Sequence, residues 1–398
     1  MTPVTLRLKK DQDRRLLAGH LWVYSNEIDT RATPLKGLEP GTPVQILGSH
    51  NRWIGLGYAN PRSLICARIV TRRRDATLDR TLLSERIETA WALRRRLYPG
   101  PYYRLVFGEA DGLPGLVVDR FGAVLVLQVT TAGMERLQHT VVEVLDELLQ
   151  PEAIVLRNDV AVRELEGLPL GVEVVKGEVP ADIEIGENGL AFRVSPLAGQ
   201  KTGWFFDQAD NRSRMRRYVG GARLLDVCAY SGAWGVSAAA WGAASALCVD
   251  ASESALARAE ENARLNGCGA RLRTLKEDAF VAMKGLWEAG ERFDVVVLDP
   301  PAFAKRRKDL EQGLEAYGRL NRLGLQLLAR GGILMTSSCS YHLAREAFLR
   351  TVQRAAGRNR QSLQLLESGQ QGADHPVHPA IPETAYLKTL YLRAVTGF

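Results

Sequence analysis

Cysteine is scarce here and poorly spaced for structural work: the 398 residues hold five, at Cys66, Cys228, Cys248, Cys268 and Cys339. An odd number in a long chain, with no C-x-x-C pair and no histidine at ligand spacing, argues against a disulfide framework and against a zinc or other metal site. No apolar run approaches the roughly 20 residues that a bilayer span requires, so no membrane partner is expected. The opening stretch "MTPVTLRLKKDQDRR" lacks the apolar segment of a secretory signal, which makes the cytoplasm the expected location. Internal repeats and low-complexity tracts are missing too.

What is present is globular: 46% hydrophobic and 24% charged residues, in a chain long enough for two or three cores. The net charge of +7 is unevenly laid down, because residues 1–74 hold 13 Lys/Arg against 5 Asp/Glu. Such an excess suits a phosphate backbone as partner, and equally a solvated basic face.

Residues 1–72 alternate in short segments, "HLWVYSNEI" and "GTPVQILGSHNRWIGLGYANPRSLICARIV", as in a small barrel or sheet of strands. Trp22, Tyr24, Trp53 and Tyr58 there could stack on bases, although core positions are expected for most of them. Helical spacing follows, with Leu82, Leu83, Ile87, Ala90 and Leu93 on one side, and then strands and a helix that complete a small α+β block over 73–185.

Beyond about residue 220, strand and helix alternate regularly through "RLLDVCA", "SALCVDAS", "RLRTLKED", "FDVVVLDPP" and "GGILMTSSC". That order predicts an α/β fold with a mostly parallel, Rossmann-like sheet over 186–398, its ligands at the strand C-terminal ends.

Four of those strands finish on a carboxylate: Asp226, Asp250, Asp278 and Asp299. They read either as independent helix caps or as acceptors gathered round one crevice, where an adenosyl ligand has ribose hydroxyls, an adenine amine and an ammonium to offer. The first loop, "DVCAYSGAWG", has Gly232 and Gly235 where a helix begins, and it lacks the G-x-G-x-x-G spacing that seats a dinucleotide. The last strand delivers Cys339 to the same end of the sheet, among Ser337, Ser338 and Ser340, small enough to leave room for a substrate. A buried structural thiol is the other reading.

"LLDVCAYSGAWG", "CVDASESALARAEENARLNG", "EDAF" and "LDPPAF" resemble the successive motifs of class I S-adenosylmethionine-dependent methyltransferases. The resemblance implies Asp226 and Gly232 near the methionine end of that cofactor, Asp250 on the ribose, Asp278 on the adenine amine and Asp299 beside the methyl, with Tyr230 a further cofactor contact. "SSCS" resembles the motif that carries the nucleophile of RNA cytosine-5 methyltransferases, which makes Cys339 catalytic with Asp299. C5 of cytosine is too poor a nucleophile to accept a methyl unaided, and a thiolate added at C6 makes it reactive.

The whole chain is similar to the bacterial large-subunit ribosomal RNA cytosine-5 methyltransferases, built from a PUA-like β-barrel, a small central α+β domain and a methyltransferase domain. The carriers are "HLWVYSNEI", "EADGLPGLVVDRFG", "NDVAVRELEGLPL", "GQKTGWFFDQADNR", "LDPPAFAK", "SSCS" and "DHPV". The likeness implies 23S ribosomal RNA or the large-subunit particle as substrate; a homodimer is compatible with it. Substrate contacts are expected from Pro300, Pro301 and Phe303 in the Pro-Pro turn and from Lys305, Arg306, Arg307 and Lys308 after it. "GQKTGWFFDQADNR", with Lys201, is expected to form a partial lid, with Phe205 or Phe206 against the adenosyl group. Ala302 stands where some members have lysine, and Ala302-Phe303 where many carry a second cysteine, so the choice of cytosine and the release step stay open. Two further readings remain: methylation of a base nitrogen on the same fold, and an RNA-binding assembly factor with a vestigial catalytic domain.

Overall fold

The computed structural model describes residues 3–200 and 202–395, which leaves Lys201 outside the described residues. The chain divides into two compact units: Met1–Ile183 with Val194–Phe206 and Ala373–Thr384, and Glu184–Arg193 with Asp207–Gly372 and Ala385–Phe398. Segments 1–72 and 73–185, read above as separate blocks, fall in the first of these as far as residue 183.

That first unit carries two sheets. One is formed by β1 (Val4–Arg7), β2 (Trp22–Tyr24), β3 (Thr42–Leu47), β4 (Trp53–Ala59) and β5 (Ile65–Thr71), in the order β1-β3-β4-β5-β2. Only β1 and β3 run parallel. The alternation seen in the sequence is that of a sheet with one face on a core of Leu6, Val23, Val44, Ile46 and Ile69. Of the four aromatics assigned mostly to that core, Tyr58 alone is buried. Trp22 and Trp53 stay partly exposed because their indole N–H groups reach Glu109 Oε1 (2.8 Å) and the Arg72 carbonyl (2.9 Å).

The second sheet follows a helix, α1 (Arg80–Leu97). It comprises β6 (Tyr102–Phe107), β7 (Leu116–Phe121), β8 (Val124–Val129), β9 (Ala153–Arg157) and β10 (Val172–Lys176), in the order β10-β9-β8-β7-β6. A second helix, α2 (Ala132–Leu149), links β8 to its parallel neighbour β9. Asp79 caps α1 by accepting from Leu82 N (3.2 Å), and Leu82, Leu83, Ile87 and Ala90 are buried as the spacing predicts. Leu93 is not: it stays exposed, and the next residue, Arg94, turns inward instead. The arginine is held there by a two-pronged pair with Asp111 (2.7 and 2.8 Å).

The other unit opens with a hairpin of β11 (Ile183–Glu187) and β12 (Leu190–Val194), whose first and last residues belong to the first unit, and continues into α3 (Ala209–Met215). The alternating run then gives β13 (Arg223–Val227), α4 (Ala233–Ala240), β14 (Ser245–Asp250), α5 (Glu253–Leu265), β15 (Leu272–Lys276), α6 (Ala279–Glu288) and β16 (Phe293–Leu298). It closes with α7 (Leu310–Gln326), β17 (Leu328–Ser338), α8 (Arg345–Arg358), β18 (Ser362–Gly369) and β19 (Lys388–Val395). The strands form one sheet in the order β15-β14-β13-β16-β17-β19-β18. Its first five members are parallel, and β19 and β18 are added antiparallel. Leu225, Val227, Val296, Leu298 and Leu334 are fully buried beneath the helices, each contributing on the order of 2 kcal/mol from burial. The strand order reverses between β13 and β16, and this reversal opens the crevice in which such sheets bind ligands.

Candidate active site

Asp226 is wholly buried within β13, one of the two strands between which the order reverses. Its Oδ2 accepts from Gly235 N on α4 (2.9 Å), while Oδ1 has no hydrogen-bond partner among the described residues. Burial pushes the carboxyl up to about 7. A lone acceptor in a dry pocket is costly unless a ligand meets it.

The loop above it is held in an unusual shape. Cys228, Tyr230 and Gly232 have φ of 63°, 49° and 77°, so alternate residues are left-handed, and two of the three are not glycine. Strain of this kind persists where surroundings fix it, commonly at ligand sites, and it turns backbone N–H groups toward a common concavity. Tyr230 N donates to Asp250 Oδ2 (2.8 Å) and Ser252 N to Oδ1 (2.9 Å), so the carboxylate ending β14 clamps the loop.

The two glycines also have a packing role. A Cβ on Gly235 would stand 2.3 Å from Cys248 Sγ, and one on Gly232 would stand 2.6 Å from Ala259 Cβ. They let α4 settle on β14 and α5.

Asp278 is exposed and caps α6, its Oδ1 accepting from Phe280 N (2.9 Å) and Val281 N (3.1 Å). Of the four strand-end carboxylates it is the one that does what a plain helix cap does. Asp299, immediately after β16, is half-buried and held at both oxygens: Gln208 Nε2 donates to Oδ1 (2.9 Å) and Trp234 Nε1 to Oδ2 (3.0 Å). Asn211 in turn orients Gln208 (2.7 Å). Burial raises the Asp299 carboxyl above the usual carboxylate range.

Cys339 follows the last residue of β17 and is partly exposed, while Thr336, Ser337, Ser338 and Ser340 around it are buried. Those serines are not spare room, as the sequence suggested, but braces. Ser338 Oγ donates to Tyr317 OH (3.0 Å), Ser340 Oγ lies 3.0 Å from the same hydroxyl, and Ser337 Oγ meets Thr389 Oγ1 (2.9 Å). Ala304 N donates to Ser340 Oγ (3.1 Å), and the Phe303 ring packs 4.8 Å from Tyr317. Through Tyr317, the cysteine segment and the Pro-Pro turn are therefore fixed to each other.

In that turn Pro300 is buried and Pro301 exposed. Lys305, Arg306, Arg307 and Lys308 are all exposed, with Arg306 paired to Asp309 (2.9 Å). Phe205 is half-buried within the first unit, and Phe206 is committed to that unit's core against Phe121 (5.2 Å), which removes Phe206 as an adenosyl contact. "DHPV" is likewise internal to the first unit, with His375 Nδ1 2.8 Å from Asp374 Oδ1. Tyr317, Gln208, Trp234 and Lys388 were not singled out in the sequence. Gln208 and Trp234 stand within quoted motifs, whereas nothing local marks the other two. Among the described residues, no group of three or more His, Cys, Asp or Glu could hold a metal, and no helix is long and apolar enough to cross a membrane.

A reversal crevice flanked by strand-end carboxylates, with a strained loop over an unpaired buried acid, defines an S-adenosylmethionine-dependent methyltransferase fold. Family comparison agrees: residues 159–393 match the S-adenosylmethionine-dependent methyltransferase family and residues 6–72 the PUA-like domain family. The ribosomal RNA large subunit methyltransferase I of Tolumonas auensis is 39% identical over 398 residues, covering 98% of this chain and 99% of that protein. Its counterpart in Cronobacter sakazakii is 37% identical, covering 97% and 98%. The chain belongs to the ribosomal RNA large subunit methyltransferase I family. A Streptococcus mutans structure described as a SAM-dependent methyltransferase superposes with a TM-score of 0.83 at 19% identity, over 98% of this chain and all of that one, a likeness of fold.

Proposed function

We propose that this protein forms 5-methylcytosine in 23S ribosomal RNA, with Cys339 as covalent nucleophile and Asp299 as its partner on the base. The observation that carries the reading is the bracing of a partly exposed Cys339 to the Pro-Pro turn through Tyr317, Ser338 and Ser340. The relatives named for large-subunit ribosomal RNA supply the substrate class.

The unpaired Asp226 oxygen, the loop of Tyr230 and Gly232, and the carboxylates of Asp250 and Asp278 fit the cofactor's ammonium, ribose and adenine, and would hold it. S-adenosylmethionine, when bound, supplies an electrophilic methyl group.

The chain's own residues act on the base. Pro300, Pro301 and Phe303 present a rigid edge and a flat face to an unstacked cytosine. The Cys339 thiolate adds at C6, and electron density moves into the ring toward N3. Asp299, its acidity lowered by burial and its orientation fixed by Gln208 and Trp234, hydrogen-bonds the N3/N4 edge and stabilises that charge. With C5 methylated, water takes up the C5 proton, the electron pair of that C–H bond re-forms the C5–C6 double bond, and the thiolate leaves, which restores the aromatic base. Lys305, Arg306 and Arg307 hold flanking phosphates. We assign RNA grip to 1–72, a central domain to 73–185, and chemistry to 186–398.

Cys339→Ala should abolish tritiated methyl transfer to large-subunit ribosomal RNA while cofactor affinity stays within about twofold. Full activity in that variant, or a methyl mapped to a ring or exocyclic nitrogen, overturns the mechanism.

A further inference from the structure

Lys388 is the first residue of β19 and pairs in register with Ser338, the residue before Cys339. The side chain is buried, at 5% exposure, and Nζ donates to the Ser340 carbonyl (2.6 Å), so the amine is anchored on the peptide segment that carries Cys339. Among the described residues Lys388 forms no ion pair with a carboxylate. A buried ammonium without a counter-charge is expensive. Burial accordingly brings the amine down to about 8; the charge on Cys339 opposes that fall, and Arg345, at the start of α8, reinforces it. Tyr317, on α7, faces the same cysteine and feels its charge.

Resting on Cys339 as nucleophile, we propose that Lys388 is the counter-ion that activates it. The neutral amine takes up the thiol proton: the S–H bond breaks, an N–H bond forms, and a thiolate is left beside an ammonium, with no external co-reactant. A strand neighbour supplies the base that other cysteine enzymes take from histidine. Lys388 acts through Cys339 and is a positioning residue with respect to the substrate. Once sulfur is bonded to C6 its charge is gone, and the ammonium loses the partner that held its proton.

The test is the pH dependence of Cys339 alkylation by iodoacetamide in cofactor-free, RNA-free protein, followed on the Cys339 peptide by mass spectrometry. Wild type should titrate below the ordinary thiol value of about 8.5. Lys388→Met should raise the midpoint by about one unit and slow alkylation near neutrality roughly tenfold, with methyl transfer falling in parallel. Lys388→Arg, which keeps a charge, should recover most of the alkylation rate. An unchanged profile in Lys388→Met overturns the proposal. So does a wild-type midpoint at or above the ordinary thiol range, which needs no variant to fold. An active Cys339→Ala enzyme would instead sink the nucleophile reading, and a dead one with an unmoved Lys388→Met profile would sink the counter-ion alone.

Discussion

Asp226 keeps one oxygen on Gly235 N and leaves the other bare in a fully buried site. The unfolded chain ionises this group at 3.8, the folded one at about 7. Since the folded pKa is raised, the unfolded state gives up its proton first. Stability of the cofactor-free protein therefore falls as pH climbs between those two values and levels off above the upper one. Asp226→Asn keeps an acceptor for Gly235 N and cannot ionise. Between about pH 5 and pH 8 the variant should lose less stability than wild type, by a few kcal/mol at most, read from urea unfolding at each pH. On the proposed assignment to the methionine end, the same variant binds S-adenosylmethionine weakly and without the rise in affinity that wild type gains as pH passes 7. A cap of purely structural value would leave calorimetric affinity unchanged.

Helix α4 approaches the sheet only because Gly235 has no side chain: a Cβ there would overlap Cys248 Sγ at 2.3 Å. Gly235→Ala should destabilise by roughly 1–3 kcal/mol and weaken cofactor binding, because Trp234 and the Gly235 amide, which orient Asp299 and Asp226, ride on the same turn. Cys248→Ala should restore part of both losses, a coupling that a double-mutant cycle measures. Elements of this sort separate what a sequence discloses from what it conceals. The five parallel strands were legible because strand and helix alternate in local composition, and so were the positions of Asp226, Asp250 and Asp299 at or beside the ends of those strands. Tyr317 and Lys388 were not, since they meet Ser338 and Ser340, the neighbours of Cys339, from the helix above and from across the sheet, with no local signal. The strands β18 and β19 went unread for the same reason: an antiparallel addition after the alternating run follows no repeating pattern. Leu93 was misassigned because the helical period cannot foresee that Asp111 draws the neighbouring Arg94 inward.

Counted over the whole molecule, the basic excess of residues 1–74 overstates the surface available to RNA. Arg68 is paired with Glu166 (2.9 Å), Arg15 with Glu27 (2.8 Å), and Arg72 donates to the Leu16 carbonyl (2.7 Å). These charges hold the first unit together. Lys10 and Arg74 are exposed, as are Lys305 and Arg307 in the other unit. Phosphate contacts release counter-ions and therefore appear in the salt dependence of binding, by slightly less than one unit of slope for each contact. Lys10→Glu with Arg74→Glu should weaken binding to a ribosomal RNA fragment about tenfold at low salt and flatten the log–log salt slope by roughly 1.5, leaving thermal stability unchanged. Lys305→Glu with Arg307→Glu should act similarly. Arg68→Gln should do the reverse: it removes the counter-charge of buried Glu166, which keeps only its bonds from Asn60 and Ala132, costs about 3 kcal/mol of stability, and leaves the slope as it was. A slope that moved with Arg68 and not with Lys10 and Arg74 would mean that the RNA reads the inner charges and not the outer ones.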